Sequence, residues 1–491
     1  MFAVFTWETM PFLLGGVTLG LCFGLLPGLG GLATLALLMP IIYGWEPAPA
    51  LAFLMGAHAV VFTGGSVTAV LMNIPGTPAN AAALIDGYPM TQKGLGGQAV
   101  GLAVTSSMVG GVIGGVVLLA LVFVVRPLVL VFGLPEYFFL TLLGVSFIAV
   151  LGRDSAVKGL ISGAVGIFIA MVGIHPITGI PRFTFGSLEL LEGFGIVPVA
   201  LGLFAVPEVL RLIISRGAIA QVGSEEVKVG LKAVLGGVRD VPRHLRLVLQ
   251  SSAIGTIVGI IPGAGADTAP FVSYGIAEQT SKNAELFGHG SSEGVIAAEC
   301  ANNAKEGGSL LPTLAFGIPG SSAMALVLGA LLLIGLKPGP MFLQDHTDVA
   351  FTLVGILIFA NLIGGVILLL IGGHLARLTA LRGVVLSPIV LILVVIGAYS
   401  VRGSLWDVGF AVAFGVLGWA MQAYGYNRPA FFLGFVLGGM LERYFVLSLR
   451  TYDWVFVFRP ISLVILTSII LVIFSDEVRW VIASLRRKFA R

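Results

Sequence analysis

The chain has 491 residues, 57% of them hydrophobic and only 10% charged, with a formal net charge of +3. A soluble domain carries roughly 25% charged residues, so this is a polytopic membrane protein, and its near-neutral balance gives a nucleic-acid partner no electrostatic support. Glycine supplies 68 residues, about twice its ordinary share, and small residues let membrane helices approach closely and let backbone reach a ligand.

Spans are expected wherever roughly 20 apolar residues run together. In the first half these are Phe12 to Leu26, Leu51 to Met72, Ala99 to Val125, Leu128 to Leu151, Leu160 to Ile174 and Ile196 to Ile214. The second half offers Leu247 to Ile261, Ala323 to Leu336, Ala350 to Ile371, Val384 to Val401, Val408 to Tyr424, Phe431 to Leu447 and Ile461 to Phe474. Several are short or interrupted, so the expected fold is all-α with about 10–13 transmembrane helices, some of them half-helices that enter and return. Residues 1–215 form a first membrane half, 216–246 a basic connection and 247–491 a second half with a basic tail.

Basic loops mark the cytoplasmic side of a membrane. The connection from Arg216 to Arg246 carries Lys228, Lys232, Arg239, Arg243 and Arg246, and the tail carries Arg486, Arg487, Lys488 and Arg491. Both are expected in the cytoplasm. No Lys or Arg precedes Lys93, whereas Glu8 is present, which favours an outside N-terminus; without a basic start, the Phe12 segment is not expected to be a cleaved signal peptide. The two halves then enter from opposite faces, as an inverted repeat.

Each half carries the same device. GLLPGLG (Gly24 to Gly30) is followed by Gly64-Gly65-Ser66 and by NIPGTPAN (Asn73 to Asn80); GIIPGAG (Gly259 to Gly265) is followed by Gly307-Gly308-Ser309 and by GIPGSSA (Gly317 to Ala323). Pro and Gly break apolar helices, and freed backbone groups at membrane depth are tolerated only beside protein or a watery cavity. Matching interruptions in two halves point to the central site of a transporter. A helix that restarts after such a break presents unpaired N–H groups and a partial positive charge, which attracts an anion without a buried Lys. Thr77, Asn80, Ser321 and Ser322 follow the two Ile-Pro-Gly breaks, where they either cap the new helix or donate to a carboxylate. Ser66 and Ser309 are ligand candidates or packing residues of the Gly-Gly-Ser elements.

The stretch from Ser291 to Ser309, SSEGVIAAECANNAKEGGS, is the most polar part of the second half. Ionisable groups inside a membrane protein are expensive and usually functional. Asn302 and Asn303 supply donors for carboxylate oxygens and carbonyls for a hard cation such as Na+. Glu299 lies one turn earlier, on the same face of a helix. It titrates or binds a cation, as does Asp267, for which helix capping is the competing role. Glu293, Lys305 and Glu306 are expected in a solvated loop, the alternative being a functional place in the interior, where Lys305 either favours a further negative charge on the ligand or pairs with Glu306 or water. Asp86, in DGYP, is expected in a turn. His58 and His289 have no metal-ligand spacing, Cys22 and Cys300 form neither a metal set nor a disulfide framework, and no nucleophile elbow, Walker motif or zinc signature is present. No catalytic residue, metal or cofactor is expected beyond a coupling cation.

Taken in order, GLLPGLGG, GGSVTAVLMNIPGTPANAAALIDGYPM and GIIPGAGAD…ANNAKEGGSLLPTLAFGIPGSS resemble the large permease subunit of the tripartite tricarboxylate transporter family, the TctA-like proteins, over essentially the whole chain. The resemblance implies a secondary transporter of the bacterial inner membrane that takes up citrate-like di- or tricarboxylates on a cation gradient. It also implies a periplasmic solute-binding protein and a small four-span membrane subunit as partners. The family's glycine-rich signatures fall on Gly28, Gly30, Gly64, Gly65, Pro75, Gly76, Gly263, Gly265, Gly307, Gly308, Pro319 and Gly320, with polar companions Asn73, Thr77, Asn302 and Asn303. The chain departs from the family's pattern in AHAVVFT (Ala57 to Thr63) and in Lys305 and Glu306 after the Asn pair. An anion channel, or a carboxylate transporter without a receptor, is the alternative, and a homodimer through a scaffold is plausible.

Overall fold

The computed structural model describes residues 6–26, 29–128, 131–151, 155–175, 177–214, 230–262, 266–375 and 383–474. The described residues are almost wholly helical, with one short ribbon that pairs Gly173–Ile174 antiparallel to Pro181–Arg182. The first half runs α1 (Met10–Leu25), α2 (Gly30–Leu38), α3 (Pro47–Met72), α4 (Ala81–Gln92) and α5 (Gly96–Leu128), then α6 (Leu134–Leu151) and α7 (Ala156–Ala170). After the ribbon come α8 (Ile196–Ala200) and α9 (Val206–Ile214), joined by a π-helical turn at Leu201–Ala205. The second half opens with α10 (Leu231–Asp240) and continues as α11 (Leu245–Ile260), α12 (Ala269–Thr280), α13 (Ser292–Phe316), α14 (Ser322–Leu333), α15 (Phe342–Asp345) and α16 (Thr347–Leu375). It closes with α17 (Gly383–Arg402), α18 (Leu405–Ala423), α19 (Arg428–Tyr452) and α20 (Pro460–Ile473).

The order of elements repeats, with α1, α2, α3, α4 and α5 matched by α11, α12, α13, α14 and α16. The packing repeats too. Helix α1 lies along α3 as α11 lies along α13, while α5 packs on α13 and α16 on α3. Further out, α7 packs on α19 and α18 on the α8–α9 segment.

Glycine spacing explains these seams. A Cβ built at Gly20 would stand 2.3 Å from the Ala57 carbonyl oxygen and one at Gly24 2.4 Å from that of Val61. In the second half, Gly255 and Gly259 meet the carbonyls of Ala301 and Lys305 at 2.5 and 2.3 Å. Membrane helices gain little from hydrophobic burial against one another, so close van der Waals approach along small residues holds them together. On the outside, Ile389, Ile392 and Ile396 of α17 and Val412, Val416 and Trp419 of α18 are exposed. An apolar surface of this kind suits lipid, and the chain is a multi-pass membrane protein.

Among the described residues six helices are long and apolar enough to cross a membrane. Several expected spans are shorter. The Ala323 to Leu336 segment yields α14, whose 12 residues reach only about 18 Å. The larger departure is α13. Its polar sequence belongs to no expected span, yet its 25 residues form one helix buried from Gly294 to Ala315. Lys305 and Glu306, expected in a solvated loop, are each 1% exposed; only Glu293, in the first turn, stays near the surface, accepting a hydrogen bond from Ser281. Polarity hides a central helix when its polar groups face each other rather than water.

Candidate functional site

Both α3 and α13 stop at a residue with left-handed backbone, Asn73 (φ 59°) and Gly317 (φ 67°). Only Gly, and less readily Asn, adopts that conformation without strain. The proline that follows within two residues prevents the helix from resuming at once. After each break the chain is extended at Thr77 and Ser321 and then turns helical again. Ser321 Oγ caps α14 by accepting from the Met324 N–H at 3.2 Å, and Ser322 is the first residue of α14. Thr77 is tied through Asn80, whose Oδ1 accepts from the Thr77 N–H at 3.0 Å and hydroxyl at 2.7 Å. The Asn80 amide in turn donates to Ser66 Oγ and to the Phe62 carbonyl. Capping is thus the observed role of Asn73, Thr77, Asn80 and Ser321.

Within each half the three motifs meet. A Cβ at Gly76 would lie 2.5 Å from Gly65 Cα and 3.0 Å from the Gly24 carbonyl oxygen; one at Gly320 would lie 2.5 Å from Ser309 Cα and 2.8 Å from that of Gly259. A Cβ at Gly30, whose φ is +50°, would lie 3.9 Å from the Gly76 carbonyl oxygen. Gly28, Gly263 and Gly265 lie outside the described residues. The two Gly-Gly-Ser strings are not spatial equivalents. The same number of residues separates Gly65 from Gly76 as Ser309 from Gly320, so Gly65 matches Ser309 and Gly64 matches Gly308. Gly64 accordingly packs on the Leu21 carbonyl and Gly308 on that of Thr256, while Gly307 abuts Gly114 of α5. Textual alignment of the strings is off by one, because contact with the Pro-Gly break sets the register. Ser66 therefore bonds Asn80 and the Phe62 carbonyl, while Ser309 donates weakly to the Glu306 carbonyl.

The halves are joined mainly where α5 packs on α13 and α16 on α3, and polar side chains of α3 and α13 meet at that junction. Asn303 Nδ2 donates to Thr63 Oγ1 at 2.9 Å and to Asn361 Oδ1 of α16 at 2.7 Å. His58 Nε2 lies 2.7 Å from Glu306 Oε2. Lys305 Nζ donates to Glu306 Oε1 at 2.9 Å and to Asp267 Oδ1 at 3.4 Å, and sits 4.0 Å above the Phe62 ring. Asp267 thus stands at the second break as an ion partner of Lys305. On another side of α13, Glu299 Oε2 accepts from Ser107 at 2.8 Å. Glu299 Oε1 and both amide atoms of Asn302 are buried with no hydrogen-bond partner among the described residues. Asp86, expected in a turn, lies inside α4, fully buried. It accepts from Tyr274 OH at 2.9 Å and from the Gly290 and Ser291 N–H groups at 2.8 Å each, which ties α4 to the start of α13.

Sequence reasoning passes over Ser107 and Asn361, weighs His58 only as a metal ligand, and meets Thr63 only as part of the AHAVVFT departure. His58, Thr63 and Asn361 are polar groups isolated in apolar runs, and that isolation inside a membrane segment is the signal that could have found them; Ser107 ends the polar run Thr105-Ser106-Ser107.

The family model of the "Tripartite tricarboxylate transporter TctA family" matches residues 10–433. An Agrobacterium vitis protein described as "Uncharacterized 52.8 kDa protein in TAR-I ttuC' 3'region" is 35% identical over 453 residues, covering 91% of this chain and 89% of that protein. A second from the same organism, "Uncharacterized protein in TAR-II ttuC' 3'region", is 34% identical over 211 residues, 42% of this chain and 87% of that protein. No solved structure matches.

Proposed function

We propose, from the premise that this chain belongs to the tripartite tricarboxylate transporter TctA family, that it is the permease of a receptor-dependent, cation-driven uptake system for organic carboxylates. A periplasmic solute-binding protein delivers the anion, a small four-span subunit completes the membrane assembly, and the whole resides in the bacterial inner membrane. The work is transport, not catalysis.

The observation that carries this reading is the unpartnered polarity of α13. Buried amides and carboxylates are nearly always hydrogen-bonded, and both ends of the Asn302 side chain and Glu299 Oε1 lack a partner among the described residues. Such a set in an apolar bundle suits a ligand: amide N–H for a carboxylate of the cargo, amide and carboxylate oxygens for a coupling cation, Na+ or H+. In each half, Gly76 and Gly320 bring the broken-helix backbone against that half's own core. The anion's remaining carboxylates settle at the starts of the helices that follow Pro75-Gly76 and Pro319-Gly320, where the helix dipole is positive.

The test is uptake of radiolabelled citrate, tartrate and succinate into proteoliposomes with receptor and small subunit present. Asn302→Ala is expected to lower uptake about tenfold or more, the scale of one lost ligand contact, with an unchanged size-exclusion profile; unchanged affinity and rate would remove Asn302 from the site. An anion channel would conduct without receptor and never accumulate its anion above the outside concentration.

A further inference from the structure

Four titratable side chains stand in one line through the junction of the two halves. His58 faces Glu306, Glu306 faces Lys305, and Lys305 faces Asp267, at 2.7, 2.9 and 3.4 Å. His58, Lys305 and Glu306 are buried, while the Asp267 side chain is 35% exposed. Buried charges persist only when paired. Here two carboxylates share one ammonium, which leaves one negative charge to be balanced.

The imidazole is placed to balance it. A carboxylate only accepts hydrogen bonds, so the Nε2 that faces Glu306 carries the hydrogen of the neutral ring, and Nδ1 presents a lone pair. That Nδ1 is buried and has no hydrogen-bond partner among the described residues. A proton added there makes an imidazolium whose charge cancels the excess, with no heavy atom displaced.

No neighbouring helix supplies the missing charge. Helix α1 contributes only Cys22 as a titratable group; α5 has only Arg126, α11 only Arg246 and α16, among its described side chains, only Asp348, each at a helix end. In α12, Glu278 lies at the far end; in α4, Tyr88 adds no positive charge, and Asp86 is bonded to Tyr274 of α12. On α13 itself, Glu299 adds a further carboxylate, and Cys300, whose backbone abuts Gly110 of α5, adds no positive charge. The chain's own Lys305 fills the position between the carboxylates, so the remaining cation must suit a lone pair on nitrogen.

Building on the transport reading above, we infer that His58 Nδ1 is a proton-binding site whose filling and emptying drives the transport cycle. The proton is taken from water on one side as an N–H bond forms, and is returned to water on the other side as that bond breaks. Glu306 holds the ring in the required tautomer, and Lys305 and Asp267 hold Glu306.

The experiment compares two transport modes in proteoliposomes containing receptor and small subunit, with radiolabelled citrate, tartrate and succinate as probes. One is net accumulation driven by an alkaline interior; the other is exchange of the same anion at equal pH on both sides. His58→Gln keeps a donor toward Glu306 but cannot take a second proton. It is expected to lose pH-driven accumulation about tenfold or more while exchange stays within about threefold of wild type, because only the proton-dependent step is removed. Should that variant fail to fold, His58→Asn serves the same comparison. Accumulation by either folded variant that still follows the pH gradient overturns the inference, as does equal loss of both modes, which marks a structural role. Wild-type accumulation that follows a Na+ gradient and ignores the pH gradient overturns this inference alone. Accumulation under neither gradient overturns the transport reading and this inference with it.

Discussion

Asp86 shows how much a single buried carboxylate can organise. Removing it strands the Gly290 and Ser291 N–H groups and the Tyr274 hydroxyl, and each unmade buried hydrogen bond costs about 1–3 kcal/mol. Asp86→Ala is therefore expected to destabilise the protein by about 2–5 kcal/mol, and Tyr274→Phe by about 1–2 kcal/mol, measured by thermal unfolding in detergent; equal midpoints for Asp86→Ala and wild type would contradict the assignment. None of this is legible in the local sequence. DGYP has the composition of a turn, and the groups that hold Asp86 in a helix come from the other half of the chain. Lys305 and Glu306 fail for the same reason: adjacent opposite charges look solvated until His58, Asp267 and Phe62 are brought around them. The short-range devices were readable. The Ile-Pro-Gly interruptions follow from residue types that break helices, and Ser321 was open as a cap or a carboxylate donor, whereas Asn73 was expected beside the ligand and instead ends α3.

At the scale of elements, the glycine-rich composition pointed to close helix packing, and the structure assigns that packing to named pairs. Gly16, Gly20 and Gly24 run along one ridge of α1 against α3, and a side chain there has no room. Gly20→Val is expected to abolish the folded species in size-exclusion chromatography, whereas Gly236→Ala in α10, where an added Cβ meets nothing within 4 Å, should be neutral or add about 0.5–1 kcal/mol of stability. A Gly20→Val protein with wild-type behaviour would mean that α1 and α3 do not touch as described. The repeat itself was legible from motif order, but its register was not. The strings Gly64-Gly65-Ser66 and Gly307-Gly308-Ser309 look superimposable, yet the Pro-Gly breaks place Gly65 opposite Ser309. By the same register His58 of α3 corresponds to Asn302 of α13, so the two halves set different polar groups at matching depth.

For the molecule as a whole, composition alone fixes the membrane class, since a chain this poor in charge has no other way to cover its surface. Orientation rests on the basic residues of the connection and tail. Single cysteines placed at Lys232 and Arg239 are expected to react with an impermeant maleimide only from the cytoplasmic side, and one placed at Trp7 only from outside; the reverse pattern would turn the assembly over. The glycine seams carry a mechanical consequence. Backbones pressed together through bare Cα atoms, as in the α1–α3 and α11–α13 pairs, have no side-chain layer to deform, so each pair travels as one stiff plank. These planks meet the outer elements through the short helices α2 and α14, α2 against the π-helical turn between α8 and α9 and α14 against α19.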